Sequence, residues 1–422
     1  MVSITNRRII AAVLMMLMLA LSVAHAPSSE APTANDTARF LAGLPPSTSS
    51  PLVALTKDPA WLSHARYFDS VFASEENANL SKVRQFSKEY LTDKQDTMLY
   101  MFSGPDFLYA TSFFPNASTY VLAGLEPVGM IPDLTRLSPW VINGELRNLE
   151  VSMRSLFNYS FFITQNMKTQ LREGPVYGTL PILYVFLART GKTVHELSLV
   201  SLDGQGNLQI ADALAPSNAV PRSAAPGVKI VFSDGTGPKQ TLYYFSTNLA
   251  DGSFERSGFS AFLAKLGPAD SLIKSASYLL HKPQFSGVRK LLLDRGAIIV
   301  QDDSGIPLSY FGKRWRLRAF GHYAGPISMF AGFYQPQMAG LFQGANPIEF
   351  GIGYRWRKNE SNLLLAQMQS PPSSEQELSP QSEAERNATE TAVRSPKKTR
   401  KHVETATWSF GCRKARVFPF CW

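Results

Sequence analysis

The sequence predicts an α+β protein with a mixed or mostly antiparallel sheet, and three observations predict it. Strand-like runs and helix-like runs occur in blocks and do not alternate regularly. Two Asp-Gly turns, Asp203-Gly204-Gln205-Gly206 and Asp234-Gly235-Thr236-Gly237, each lie between runs of strand character, which is the pattern of β-hairpins. With 44% hydrophobic residues and 27 Phe, the chain has the material for a sizeable core, so one domain is expected in spite of 422 residues.

The chain divides into four stretches. Residues 1–24 have the order of a secretory signal: Arg7 and Arg8, the apolar run Ile9 to Val23, and small residues at Ser22-Val23-Ala24, with cleavage expected after Ala24. The apolar run is shorter than the roughly 20 residues that span a bilayer, so no permanent membrane anchor is expected. Residues 25–51, rich in Ser, Pro, Ala and Thr, read as a flexible leader. The globular body is expected over 52–366. Residues 367–422 read as a disordered tail, because Ser370-Pro-Pro-Ser-Ser, several Glu and Lys397-Lys-Thr-Arg-Lys401 leave little to bury. The tail ends in an apolar tip carrying the only two cysteines, Cys412 and Cys421, which either close a small ring in an oxidising compartment or remain thiols.

Within the body, apolar spacing predicts helices over 60–72 and 80–91, then strands over 98–102 and 119–123 around a loop at Ser103-Gly104-Pro105-Asp106. The segment Phe102-Ser-Gly-Pro-Asp-Phe-Leu-Tyr109, continued by Phe113-Phe-Pro-Asn-Ala-Ser-Thr-Tyr-Val-Leu-Ala-Gly-Leu-Glu-Pro-Val-Gly129, resembles a signature of exported bacterial proteins to which no activity attaches. The resemblance extends loosely to Ala366 and implies a secreted or periplasmic setting, not a chemistry. Residues 133–172 read as mostly helical, and 180–187 as a buried strand or a short helix. After the two hairpins, helices are expected over 259–266, 269–281 and 285–294, followed by strands over 297–301 and 315–323.

Charge and motifs narrow the chemistry. The net charge of +9 falls to +4 for the body once the two Arg of the signal and the excess of three in 371–422 are set aside; these charges are interspersed, so nucleic-acid binding is not expected. Gly191-Lys192-Thr193 lacks the first glycine of a phosphate loop, whose place Phe186 takes. Neither Gly-x-Ser-x-Gly nor His-Glu-x-x-His occurs. The body histidines, His64, His195, His281 and His322, form no local ligand pattern, so no metal and no cofactor are assigned.

Asp106 and Glu126 stand out because each carboxyl lies in an apolar stretch bracketed by Gly and Pro, where desolvation would raise its pKa and suit acid–base work. The alternatives are that Asp106 caps a helix or turn and that Glu126 pairs with an Arg. Asp302-Asp303 reads as a turn that could also hold Ca²⁺. Trp315, Tyr323, Tyr354 and Trp356, interleaved with arginines, suggest either an aromatic ligand cleft or a core face. The leading expectation is an exported protein that binds an extracytoplasmic ligand or partner. Competing with it are a cofactor-independent hydrolase that uses Asp106 or Glu126 with a histidine such as His281 or His322, and a non-catalytic envelope scaffold.

Overall fold

The strands at the middle of the molecule are short and apolar on both faces, the composition of strands covered by helices on either side. In the computed structural model, which describes residues 31–162, 174–210 and 225–369, they are β1 (Thr97–Tyr100), β2 (Thr119–Gly124), β7 (Ala269–Ile273) and β8 (Gly296–Gln301). The remaining strands are β3 (Lys192–Leu202), β4 (Leu208–Ile210), β5 (Ala225–Asp234), β6 (Lys239–Ser246), β9 (Trp315–Gly321) and β10 (Asn362–Met368). All ten join one mixed sheet, ordered β4-β3-β5-β6-β2-β1-β7-β8-β10-β9. Its centre, β6-β2-β1-β7-β8, is parallel, and both flanks are antiparallel. The expected α+β class and mixed sheet are thus present.

Alternation along the central strands sorts the core into two layers. Met98, Tyr100, Tyr120 and Leu122 face one cluster, while Leu99, Met101, Val121 and Ala123 face the other. The first layer is covered by α1 (Ala34–Leu41), α2 (Pro59–Glu75), α3 (Ser81–Tyr90), α4 (Phe107–Phe113), α5 (Pro139–Tyr159) and α6 (Leu180–Arg189). On the opposite face lie α7 (Asp251–Arg256), α8 (Phe259–Lys265) and α9 (Ser286–Arg295). A short α10 (Pro336–Leu341) packs Met338 against Tyr323 and Phe342 in a small satellite cluster.

Two expectations are corrected. The stretch 31–51 is not a flexible leader: Thr33 caps α1 by accepting from the Asp36 backbone N–H, and Phe40 and Leu41 are buried in the first core layer. Residues 269–281 are not a helix. Ala269–Ile273 forms β7 between β1 and β8, and only Leu279–His281 makes a 3₁₀ turn. Where every position is buried, apolar spacing cannot separate strand from helix, and pairing with neighbours decides. The same ambiguity at 180–187 resolves as α6. After the expected loop at 103–106, Phe107–Phe113 forms the helix α4, which makes the β1-to-β2 connection a parallel crossover. The expected signal peptide, the tail beyond Gln369 and the pairing of Cys412 with Cys421 lie outside the described residues.

No helix among the described residues is long and apolar enough to cross a membrane.

Candidate functional site

From β1 the chain crosses to β2 on one side; from β6 it returns to β7 on the other side of β1. The turns leaving β1 and β7 therefore diverge at their carboxyl ends. In open α/β sheets this divergence creates the crevice in which ligands bind. The side chains placed there are unusual for a protein interior.

Asp106 follows β1 and is only 2% exposed. It is the N-cap of α4, with Oδ1 accepting the Tyr109 backbone N–H at 3.2 Å and Oδ2 accepting the Tyr100 hydroxyl at 2.9 Å. Lys274, the residue after β7, brings its Nζ to 2.8 Å from Asp106 Oδ2. The same ammonium donates to the Ser160 carbonyl and sits 3.5 Å from the centre of the Tyr109 ring. Burial lowers the Lys274 pKa, and the Asp106 charge opposes that shift. The Tyr109 hydroxyl donates to Glu75 Oε1 at 2.8 Å, and the Asn79 amide donates to both Glu75 oxygens at 3.1 Å. Glu75 closes α2, where a single π-helical turn over Glu76–Leu80 leads into α3. Burial holds its pKa above the ordinary value in spite of these donors. The Asp106–Lys274 ion pair, Tyr100, Tyr109, Glu75 and Asn79 thus form one connected network running inward from the crevice.

Glu126 follows β2 and is 3% exposed. Among the described residues no cation pairs with it. Among the described residues its side chain accepts one hydrogen bond, from the Tyr244 hydroxyl at 3.4 Å, which lies closer to the Glu126 carbonyl, at 2.8 Å. The Arg partner considered for Glu126 is therefore absent among the described residues. Two glycines make room for the carboxylate: a Cβ at Gly124 would lie 2.3 Å from Oε2, and Gly104 has φ +55° beside it.

The carboxylate lines a cavity of about 110 Å³ together with Phe102, Phe161, Thr247, Ser275 and Tyr354. A smaller space of about 20 Å³ shares Phe102, Phe161, Glu126 and Ser275, and reaches Asp106 and Lys274. The Ser275 hydroxyl is buried with no hydrogen-bond partner among the described residues. Backbone strain collects at the same place: Phe102, Ser275, Ser277 and Tyr278 have φ of 62°, 52°, 50° and 52°. Non-glycine residues in this region each cost on the order of 1–3 kcal/mol and collect at binding and catalytic sites.

The turn after β8 adds two buried acids. Asp302 accepts the Ser275 and Ser304 backbone N–H groups at 2.9 and 3.0 Å, while Asp303 accepts the Tyr278 hydroxyl at 2.6 Å and the Asn362 amide at 3.2 Å. Burial, then the neighbouring Asp303 charge, pushes Asp302 up; burial also raises Asp303. These aspartates do make a turn, with Gly305 N–H donating to the Asp302 carbonyl at 3.1 Å, but their side chains anchor the strained turn after β7. Among the described residues no group of three or more His, Cys, Asp or Glu could hold a metal ion.

Of the residues singled out in the sequence, Asp106, Glu126 and Tyr354 reach the crevice. His281 does not line either cavity. It lies against Tyr278 and Phe333, its Nε2 is buried without a partner among the described residues, and burial lowers its pKa to about 4. His322 is exposed directly after the edge strand β9 and lines neither cavity. His64 is fixed by Glu150 at 2.8 Å and the Leu41 carbonyl at 2.9 Å, and His195 bonds the Ser233 hydroxyl on the antiparallel flank. The hydrolase arrangement with a histidine beside Asp106 or Glu126 is therefore not assembled by the described residues.

Trp315 packs in the second core layer, Tyr323 in the satellite cluster, and Trp356 stands edge-on to Tyr159 at 5.8 Å, so these aromatics do not form one cleft. The sequence reading missed Lys274 and Glu75. One signal for Lys274 was present, a lone lysine directly after the apolar Leu272-Ile273, but assigning the segment to a helix hid that it ends a buried strand. No family model, no curated protein and no solved structure matches this chain.

Proposed function

We propose that this is an exported small-molecule-binding protein whose ligand occupies the crevice and presents a ribose-type diol to Glu126. The observation that carries the reading is a buried carboxylate with no counter-ion among the described residues, facing a cavity at the point where the sheet's connections reverse. An isolated buried charge is costly. Two hydroxyl donors from a ligand would satisfy it. In doubly wound sheets an acidic residue about 20 positions beyond the first glycine of the β1 turn takes the ribose hydroxyls, and Glu126 stands in that relation to Gly104. The free Ser275 hydroxyl and the aromatic walls supply further polar and stacking contacts. Export is supported by Arg7 and Arg8 ahead of the apolar run Ile9 to Val23.

A catalytic version of the same site would use the Asp106–Lys274 pair for proton transfer, since both line the smaller space adjoining the ligand cavity. The binding reading is tested by calorimetric titration with adenosine and uridine and with their 2′-deoxy counterparts. At least one ribonucleoside is expected to bind at least tenfold more tightly than its 2′-deoxy form, and Glu126→Gln is expected to remove that preference. If ribo and deoxy forms bind equally, or if no nucleoside binds, the reading is wrong.

A further inference from the structure

We infer that the ligand of this crevice is a nucleoside carrying a positive charge, an ammonium or sulfonium on its 5′ side, and not a nucleotide; this rests on the nucleoside reading above.

Charge around the crevice is the first reason. Its walls carry two carboxylates, Asp106 and Glu126, and one cation, Lys274, which Asp106 already engages at 2.8 Å. Behind the walls stand three more carboxyl groups: Glu75 from α2, and Asp302 and Asp303 from the turn after β8. A second cation among the described residues, Arg355, acts on Asp303 but is held by Glu360 at 3.6 Å and donates to the Gly325 carbonyl. Among the described residues, five carboxyl groups thus stand against two cations around the site. A phosphate entering beside Glu126 would meet like charge, while a cation would meet the charge that nothing among the described residues neutralises.

The second reason is the turn after β1. Sheets that bind pyrophosphate present free backbone N–H groups at the first helix N-terminus. In this chain Asp106 occupies that end of α4 with its own carboxylate and accepts the Tyr109 N–H that a phosphate would need. The place is taken by a negative side chain that Lys274 and the Tyr100 hydroxyl hold in position.

The third reason is the aromatic content of the same walls. Phe102 and Phe161 line both spaces and Tyr354 lines the larger one, so a cation there would face ring surfaces whose quadrupoles attract it.

The test is calorimetric titration of the full-length mature protein at pH 7 with 5′-amino-5′-deoxyadenosine, adenosine and AMP, which differ at one position and span charges from positive to negative. The expected order is the amine tightest, adenosine at least tenfold weaker, and AMP weaker again. Glu126→Gln is expected to reduce the ratio of amine to AMP affinity at least tenfold. If AMP binds as tightly as adenosine, or if the amine has no advantage, the inference is overturned while the nucleoside reading stands. If none of the three binds, and the ribo and deoxy nucleosides also fail, both fall together.

Discussion

Replacing Lys274 by methionine removes an ammonium that is nearly inaccessible to water and leaves the Asp106 carboxylate buried with, among the described residues, only the Tyr100 hydroxyl and the Tyr109 N–H. At 2.8 Å the pair attracts by roughly 6 kcal/mol with an effective dielectric constant near 20. That attraction is of the same order as the several kcal/mol each ion loses on leaving water, so the intact pair contributes little net stability. The singly broken pair keeps the desolvation of Asp106 without its compensation. Lys274→Met is therefore expected to destabilise the fold by about 3–5 kcal/mol, and Asp106→Asn by a comparable amount, since it strands the buried Lys274 ammonium even though asparagine can still cap α4. The double variant Asp106→Asn/Lys274→Met should recover at least half of the Lys274→Met loss. Urea unfolding of the wild type and the three variants, followed by near-ultraviolet circular dichroism, gives the coupling energy directly. If Lys274→Met costs under about 1 kcal/mol, or if the two single effects simply add, the pair is not a buried ion pair and the electrostatic description of the crevice fails.

Removal of residues 25–51 should cause aggregation or loss of cooperative unfolding, because Phe40 and Leu41 pack in the core and the Trp61 indole N–H donates to the Phe40 carbonyl at 3.1 Å; soluble, fully folded protein starting at Leu52 would show that α1 is dispensable. Gly124→Ala should abolish ligand binding, since the new methyl group would lie 2.3 Å from Glu126 Oε2 and 2.9 Å from the Gly104 Cα; unchanged affinity would separate Glu126 from the ligand. Burial raises the Asp270 pKa to about 7 against 3.8. The folded state then holds the proton more tightly than the unfolded chain, so this group's contribution to stability is greatest below pH 4 and declines until about pH 7. Asp270→Asn, compared with wild type by urea midpoint, should accordingly look more damaging at pH 5 than at pH 8, and the opposite trend would reverse the assignment. N-terminal sequencing of protein recovered outside the cytoplasm should begin at His25; an intact Met1 there would end the signal-peptide reading.

Much of the architecture was legible because it rests on local chemistry. Asp-Gly turns between strand-like runs fixed two hairpins, and both are present, β3–β4 and β5–β6 on either side of a shared antiparallel pairing. Periodic aromatic residues such as Trp61, Phe68 and Phe72 identified α2 without reference to anything distant. Asp106 and Glu126 were also visible in the sequence, because charged residues bracketed by Gly and Pro in an apolar stretch signal a desolvated carboxyl whichever elements flank them.

What the sequence could not decide was which strands lie side by side. Residues Ala269–Ile273 are buried on every side, so their spacing fits helix and strand alike, and only pairing with β1 and β8 makes them a strand. That one decision carries the site. It places Lys274 at the end of a central parallel strand, 168 positions along the chain from the Asp106 it neutralises, and gathers Glu75 and the 302–303 acids around them. The same long-range placement keeps the described histidines out of the crevice and scatters Trp315, Tyr323 and Trp356 over separate clusters. Local composition determined which residues would be buried and which turns would form. Tertiary packing alone determined which buried charges would meet, because the Coulomb and desolvation energies of a side chain depend on neighbours that the chain brings from any distance in sequence.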